Sequence, residues 1–275
     1  MIQDIYPHVL NNRFDPSKRP DENSLILSFS GLDLLIKGET LPRMNDLKGI
    51  RGCDLIYLFS VDGDKDFFLY RETLEPEIIP EGFEYVNART LRSKGFSEKY
   101  MPLAIYTGLH LSHWYGNFKY CGRCGKPTHS DEKERALRCE CGNVIYPVIA
   151  PAVIVGVTNG DKILVTKYRT GFAHFALVAG FTEIGETLEE TVAREVMEET
   201  GLKVKNIRYY KSQPWGIVSD LLVGFYCDVD GDDTIKMDES ELKIAEWRTR
   251  EEVELQPDQF SLTNEMMTMF KQGLV

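Results

Sequence analysis

Residues 180–202, GFTEIGETLEETVAREVMEETGL, constrain this chain more than any other stretch. Thr187 and Glu190 stand at capping-box spacing, which predicts a helix beginning at Thr187. Gly201 stands where a helix stops on a left-handed residue. Between those signals lie about three and a half turns. Glu195, Glu198 and Glu199 occupy i, i+3 and i+4 and so crowd one helical face. Like charges at that spacing weaken a helix by a few tenths of a kcal/mol per pair. A bound cation would reverse that cost. Oxygen-only ligands favour Mg²⁺ or Mn²⁺ over zinc, and such ions hold and polarise phosphate groups. Gly180 at the entrance lets backbone approach a ligand closely. The plainer alternative is a solvated acidic helix in an acidic chain.

The rest of the composition narrows the setting. With 275 residues the chain has room for one to three domains, and 43% hydrophobic with 27% charged residues is ordinary for a folded globular protein. A net charge of −11 argues against a broad footprint on nucleic acid or anionic membrane. The opening MIQDIYPHVLNN lacks a basic segment followed by an apolar run, and no apolar stretch approaches the roughly 18 residues of a membrane span. The expectation is a cytoplasmic protein with no membrane partner.

Residues 1 to 22 read as an irregular lead-in. Strand-like runs follow at 24–30, 32–37, 54–61 and 66–71, the last two joined by the turn VDGDKD. A helical pattern from about Phe96 to Trp114 closes a small β-rich N-terminal domain, expected over 1–115. His110 and His113, on that helix, read as packing or surface residues. Further runs at 152–158, 162–168 and 175–180 lead into the acidic helix. After it come 204–211, SQPW at 212–215, 220–229, 241–247 and a helix from about Ser261 to Lys271. Strands flanking helices in this order imply an α/β (α+β) sandwich over 149–275.

Between these parts, at 116–148, lie four cysteines in two close pairs: Cys121 and Cys124 as C-x2-C, Cys139 and Cys141 as C-x-C. Four thiolates in this pattern fit a tetrahedral, structural Zn²⁺ site; four uncoordinated thiols are the alternative. The second pair is one residue shorter than usual, which removes backbone N–H donors to sulfur. His129 is a substitute ligand. The short ribbon reads as a brace between domains. Cys53 and Cys227, in apolar surroundings, are expected to be buried thiols.

The frame Gly180, Glu186, Arg194, Glu195, Val196, Glu198, Glu199, Gly201, Leu202 resembles the Nudix box at every fixed position. The ribbon ahead of it and the SQPW segment after it resemble the NADH pyrophosphatase branch of the Nudix hydrolases. That resemblance implies a Nudix α/β/α sandwich and a homodimer that cleaves NAD(H) to NMN(H) and AMP with divalent cations. It also implies activity on NAD-capped RNA. Position by position it makes Glu195, Glu199 and the carbonyl of Ala179 metal ligands, and Glu198 a further ligand or the group that helps activate water. Glu241 would be a distal ligand, an exposed loop acid being the alternative. Arg194 would orient a box glutamate. Phe181 would stack on a base, or else be a core residue. Tyr146, Gln213, Trp215, Asp220 and Thr263 fall at or beside substrate-contacting positions. The family's S-Q-P-W-P-F-P-x-S reads SQPWGIVSD here, so Gly216, Ile217, Val218 and Asp220 depart from it. That leaves ADP-ribose or an FAD-like dinucleotide as alternative substrates, and a non-catalytic nucleotide sensor as an alternative class.

Overall fold

One strand carries the C-terminal half of the molecule. In APAVIVGVTN the odd positions Val153, Val155 and Val157 and the even position Ile154 enter two separate cores, as the two-residue period of a strand requires. The computed structural model describes residues 1–171, 173–257 and 260–275. They form two compact units. One holds Met1, Ala150–Pro214 and Asp220–Val275; the other holds Ile2–Ile149 and Trp215–Ser219.

The second unit begins with β1 (Leu10–Asn11), β2 (Leu25–Ser30), β3 (Asp33–Ile36), β4 (Leu55–Val61), β5 (Lys65–Tyr70) and β6 (Glu84–Asn87). They form a sheet in the order β1-β4-β5-β2-β3-β6. The β4–β5 hairpin turns at Asp62 and Gly63, both at positive φ, as the VDGDKD segment predicts. Helix α1 (Met101–Asn117) packs on β2 so closely that a Cβ on Gly108 would lie 2.3 Å from Leu27 Cδ1. It starts five residues later than the sequence pattern suggests, with Pro102 in its first turn, where a missing N–H costs nothing. Cys53 departs from expectation: it is exposed, on a short 3₁₀ turn (Gly52–Asp54) ahead of β4. The flanking apolar residues, Ile50 and Leu55, turn inward and leave the thiol outside. The ribbon contributes β7 (His129–Ser130), β8 (Leu137–Arg138) and β9 (Val144–Ile145) as a small antiparallel sheet.

The other unit contains β10 (Ala150–Asn159), β11 (Lys162–Tyr168), β12 (Val178–Phe181), α2 (Leu188–Thr200), β13 (Val204–Trp215), β14 (Asp220–Val229), β15 (Leu242–Thr249) and α3 (Leu262–Lys271). The sheet runs β13-β14-β10-β11-β15, with β12 paired to the first half of β10. Gly160, at positive φ, opens the two-residue turn from β10 to β11. On one face Val192 and Val196 of α2 meet Val153, Val155, Val223 and Phe225. On the other Leu262, Met266 and Phe270 of α3 meet Ile154, Ile163 and Val165. Each such fully buried aliphatic or aromatic side chain contributes about 1.5–3 kcal/mol. The result is an α/β/α sandwich. The 175–180 run becomes a strand only from Val178; before it Ala176 makes an isolated bridge to Thr166. SQPW, expected as a separate segment, is the continuation of β13. Cys227 is fully buried, and burial pushes its thiol up to about 12.

Candidate active site

Strand β12 delivers the chain to α2 through the loop 182–187. The helix begins as its capping box dictates: the Thr187 hydroxyl accepts from Glu190 N, and Glu190 accepts from Thr187 N at 2.8 Å. It ends on Gly201 at φ 71°. Between these caps Arg194 is the hub. Its Nε donates to Glu186 at 2.6 Å and one terminal nitrogen to the other Glu186 oxygen at 2.9 Å. The same nitrogen donates to the Phe181 carbonyl at 2.9 Å, and the remaining one to Glu195 at 2.8 Å and Glu198 at 3.0 Å. All five donors of a guanidinium are thus engaged. Arg194, with help from the Glu183 N–H and the Thr191 hydroxyl, holds the Glu186 carboxyl at about 2.

The same Glu195 carboxyl lies over the backbone of β12. A Cβ on Gly180 would lie 2.0–2.3 Å from its carboxyl atoms. Burial raises its titration, opposed by Arg194. Glu199 is only 3% exposed, and burial, followed by the charges of Glu195 and Glu241, pushes it up to about 8. One of its oxygens lies 3.3 Å from the Tyr168 hydroxyl; the other is buried and has no hydrogen-bond partner. The same hydroxyl lies 3.4 Å from the Ala179 carbonyl. The loop before β15 docks on the end of α2 through Lys236 N to Thr200 O and Asp238 N to Glu199 O, and so brings up the exposed Glu241.

These residues fit a hard cation. An orphaned, buried carboxylate oxygen beside a second carboxylate is a donor set for Mg²⁺ or Mn²⁺. Among the described residues no three of these carboxylates converge within 4.8 Å as the four cysteines do. Arg194 draws Glu195 and Glu198 toward itself, and Glu241 stands on a separate loop.

The Sγ atoms of Cys121, Cys124, Cys139 and Cys141 all lie within 4.8 Å of one another. Cys121 accepts from Arg123 N and from Asn143 Nδ2, both at 3.4 Å, and the backbone donor comes first in holding its thiol at about 6. Asn143 follows the short C-x-C knuckle and supplies a side-chain donor to the opposite pair. A preformed thiol tetrad with one group ready to ionise fits zinc. His129 is exposed and outside the tetrad.

The remaining candidates are scattered. Phe181 is 52% exposed at the end of β12. Thr263 is half-buried in the first turn of α3. Gln213 is fully buried, and its amide is engaged at both ends, donating to Phe260 O at 2.6 Å and accepting from Leu262 N at 2.7 Å. Its evident work is to pin the start of α3. Asp220 opens β14, buried, with one oxygen lacking a partner, and burial pushes it up to about 7. Tyr146 and Trp215 belong to the other unit. The Tyr146 hydroxyl donates to Glu134 at 2.9 Å. The Trp215 ring packs 5.9 Å from that of Tyr106 and lies under the Arg92 guanidinium at 4.9 Å. Gly216 explains its own departure from the motif: a Cβ there would sit 1.9 Å from the Tyr106 carbonyl oxygen.

A glutamate-bearing helix capped at both ends, set against a glycine-containing strand in an α/β/α sandwich, defines a Nudix domain. Residues 148–268 match the NUDIX domain model. A crystal structure of a NUDIX hydrolase from Nitrosomonas europaea superposes with a TM-score of 0.50 at 21% identity, covering 56% of this chain and 92% of that one, a likeness of fold. Residues 117–146 match the NADH pyrophosphatase zinc ribbon domain. The chain thus carries a region similar to the NUDIX domain, preceded by one similar to the NADH pyrophosphatase zinc ribbon. The NAD-capped RNA hydrolase NudC of Klebsiella pneumoniae (strain 342) is 44% identical over 155 residues, covering 54% of this chain and 59% of that protein. Its namesake from Haemophilus influenzae (strain PittEE) is 38% identical over 169 residues, covering 60% and 62%. The chain spans about three fifths of the length of these relatives.

Proposed function

We propose that this protein hydrolyses the pyrophosphate bond of NAD(H), releasing NMN(H) and AMP, and that it removes NAD caps from RNA. The observation that carries the reading is the buried Glu199 carboxyl, with one oxygen unpartnered, in a region that matches the NUDIX domain. The names of its relatives support the substrate. In this reading Glu195, Glu199 and the Ala179 carbonyl would hold Mg²⁺ or Mn²⁺, with Glu241 as a further ligand from its loop. A divalent cation, when bound, neutralises pyrophosphate charge and lowers the pKa of a coordinated water. Glu198 takes the proton of the attacking water. The water oxygen bonds to one phosphorus, the bridging P–O bond breaks, and the departing phosphate keeps the electron pair. Arg194 fixes Glu195 and Glu198 for this work. Phe181 stacks on a base, with Thr263 and Asp220 lining the substrate; the resemblance gives Tyr146 and Trp215 substrate-contacting roles as well. Gln213 acts through α3. The thiol tetrad holds a structural Zn²⁺. We place the protein in the cytoplasm as a homodimer; among the described residues no helix is long and apolar enough to cross a membrane.

A second reading follows from Asp220. It stands in the altered SQPWGIVSD segment, whose departure from the family's pattern supports a different nucleoside-diphosphate substrate, such as ADP-ribose or an FAD-like dinucleotide. The test offers NADH, NAD⁺, ADP-ribose, FAD and NAD-capped RNA under Mg²⁺ and under Mn²⁺, with products resolved by chromatography. NMN(H) plus AMP as the preferred outcome supports the first reading, and a faster reaction with ADP-ribose or FAD the second. A folded, metal-supplied protein that cleaves none of them is a sensor.

A further inference from the structure

Two residues at the end of β11 touch every part of the cation site that α2 does not itself hold. By the period of the strand, Tyr168 faces the same side as Leu164, which packs in the core beneath α2. Its hydroxyl lies 3.3 Å from one Glu199 oxygen and 3.4 Å from the Ala179 carbonyl, bridging a helix and a neighbouring strand. The next residue reaches the third source of ligands. Arg169 N donates to the Glu241 carbonyl at 3.0 Å, and its guanidinium donates to the Glu239 carbonyl. The register between β11 and β15 shifts here: Lys167 pairs with Ile244 but Tyr168 with Leu242, leaving Lys243 as an extra residue. Such a bulge re-aims the residues beside it, and Glu241 is the residue after which β15 begins.

We infer that Tyr168 and Arg169 are positioning residues for the cation site, Tyr168 by engaging one oxygen of Glu199 so that the other is presented to the ion. This rests on the hydrolase reading above. A carboxylate with both oxygens free can rotate or bind through either; one tethered to a phenol offers a single oxygen in a fixed direction. Partners of this kind typically govern metal affinity by 10–100-fold. Arg169 performs the equivalent task on the backbone, fixing the loop that carries Glu241.

The test uses the intact 275-residue chain, supplied with zinc, and Mn²⁺ as probe. Tyr168→Phe keeps the ring that fills the site and removes the hydroxyl alone. Mn²⁺ binding is followed by the electron paramagnetic resonance of the free ion, without substrate, and the Mn²⁺ dependence of hydrolysis is measured beside it. The expected result is an Mn²⁺ dissociation constant raised about tenfold. The KM for Mn²⁺ should rise in step while kcat at saturating Mn²⁺ stays near that of wild type, a split that general loosening of the fold does not produce. A Tyr168→Phe protein that binds Mn²⁺ as tightly as wild type overturns the inference and leaves the hydrolase reading standing. A wild-type protein that binds no Mn²⁺ overturns both.

Discussion

The carboxyl group of Glu195 occupies the space that a side chain on residue 180 would need: a β-carbon there would lie 2.0 Å from Glu195 Cδ. Gly180 is therefore required by a close approach, since its φ lies outside the left-handed region. Gly180→Ala should leave the fold intact, because an alanine suits a strand at that backbone conformation. Glu195 must then swing away. A displacement of about 1 Å at a reacting centre can cost 10²-fold in rate. The expected outcome is a melting temperature near wild type with kcat/KM down by about that factor. Unchanged kinetics would place Glu195 outside the chemistry.

Glu199 sets a pH dependence. Its folded value of about 8 stands above its ordinary 4.5. Between those values the folded chain holds a proton that the unfolded chain has released, so stability falls as pH rises across that window. Glu199→Gln removes the ionisable group. Melting temperatures of the two proteins should be compared from about pH 5 to about pH 8 in buffer free of added divalent ions, with the ribbon zinc retained. The variant should gain on wild type as pH rises. Parallel curves would mean that Glu199 is solvated and ionised throughout.

Arg194→Lys tests the hub. An ammonium is a compact charge with three donors and cannot reproduce the planar fork that serves Glu186, Glu195, Glu198 and the Phe181 carbonyl together. Steady-state kinetics at saturating Mn²⁺ should show kcat/KM reduced by about 10–100-fold. If lysine retains full activity, the charge alone suffices and the five bonds are incidental.

Cys124→Ser tests the ribbon. Removing one thiolate from a four-ligand site should abolish stoichiometric zinc, read by metal analysis, and open residues 117–146 to limited proteolysis. Zinc retained at full stoichiometry would argue for a ligand outside the four cysteines.

Much of this was legible in sequence because its causes are local. The Thr187–Glu190 box and Gly201 are signals within one helix, and both caps form where the spacing puts them. The apolar, strand-like runs AVIVGVT and DLLVGFYCDV are likewise local signals, and their strands follow. What stayed hidden depends on partners far along the chain. Tyr168 meets residues 11 and 31 positions away, and no motif links them. Gln213 reads as a substrate contact, but its amide partners lie 47 and 49 residues on, at the start of α3. Cys53 reads as buried from its neighbours, yet a single 3₁₀ turn faces it outward. Strands of two residues, such as those of the ribbon, are too short to carry a period at all.

The double allegiance of β10 limits how this chain can vary. Substitutions along Ala150–Asn159 that keep size and apolarity disturb one core at a time, because odd and even positions report to different helices. An inserted or deleted residue would exchange the two sets, sending Ile154 toward α2 and its valine neighbours toward α3. The same slip would carry β12, and with it Gly180 and the carbonyl of Ala179, out of line with Glu195. Length in this strand is thus fixed as firmly as the box itself, while the turn at 160–161 is where descendants of this sequence are free to grow.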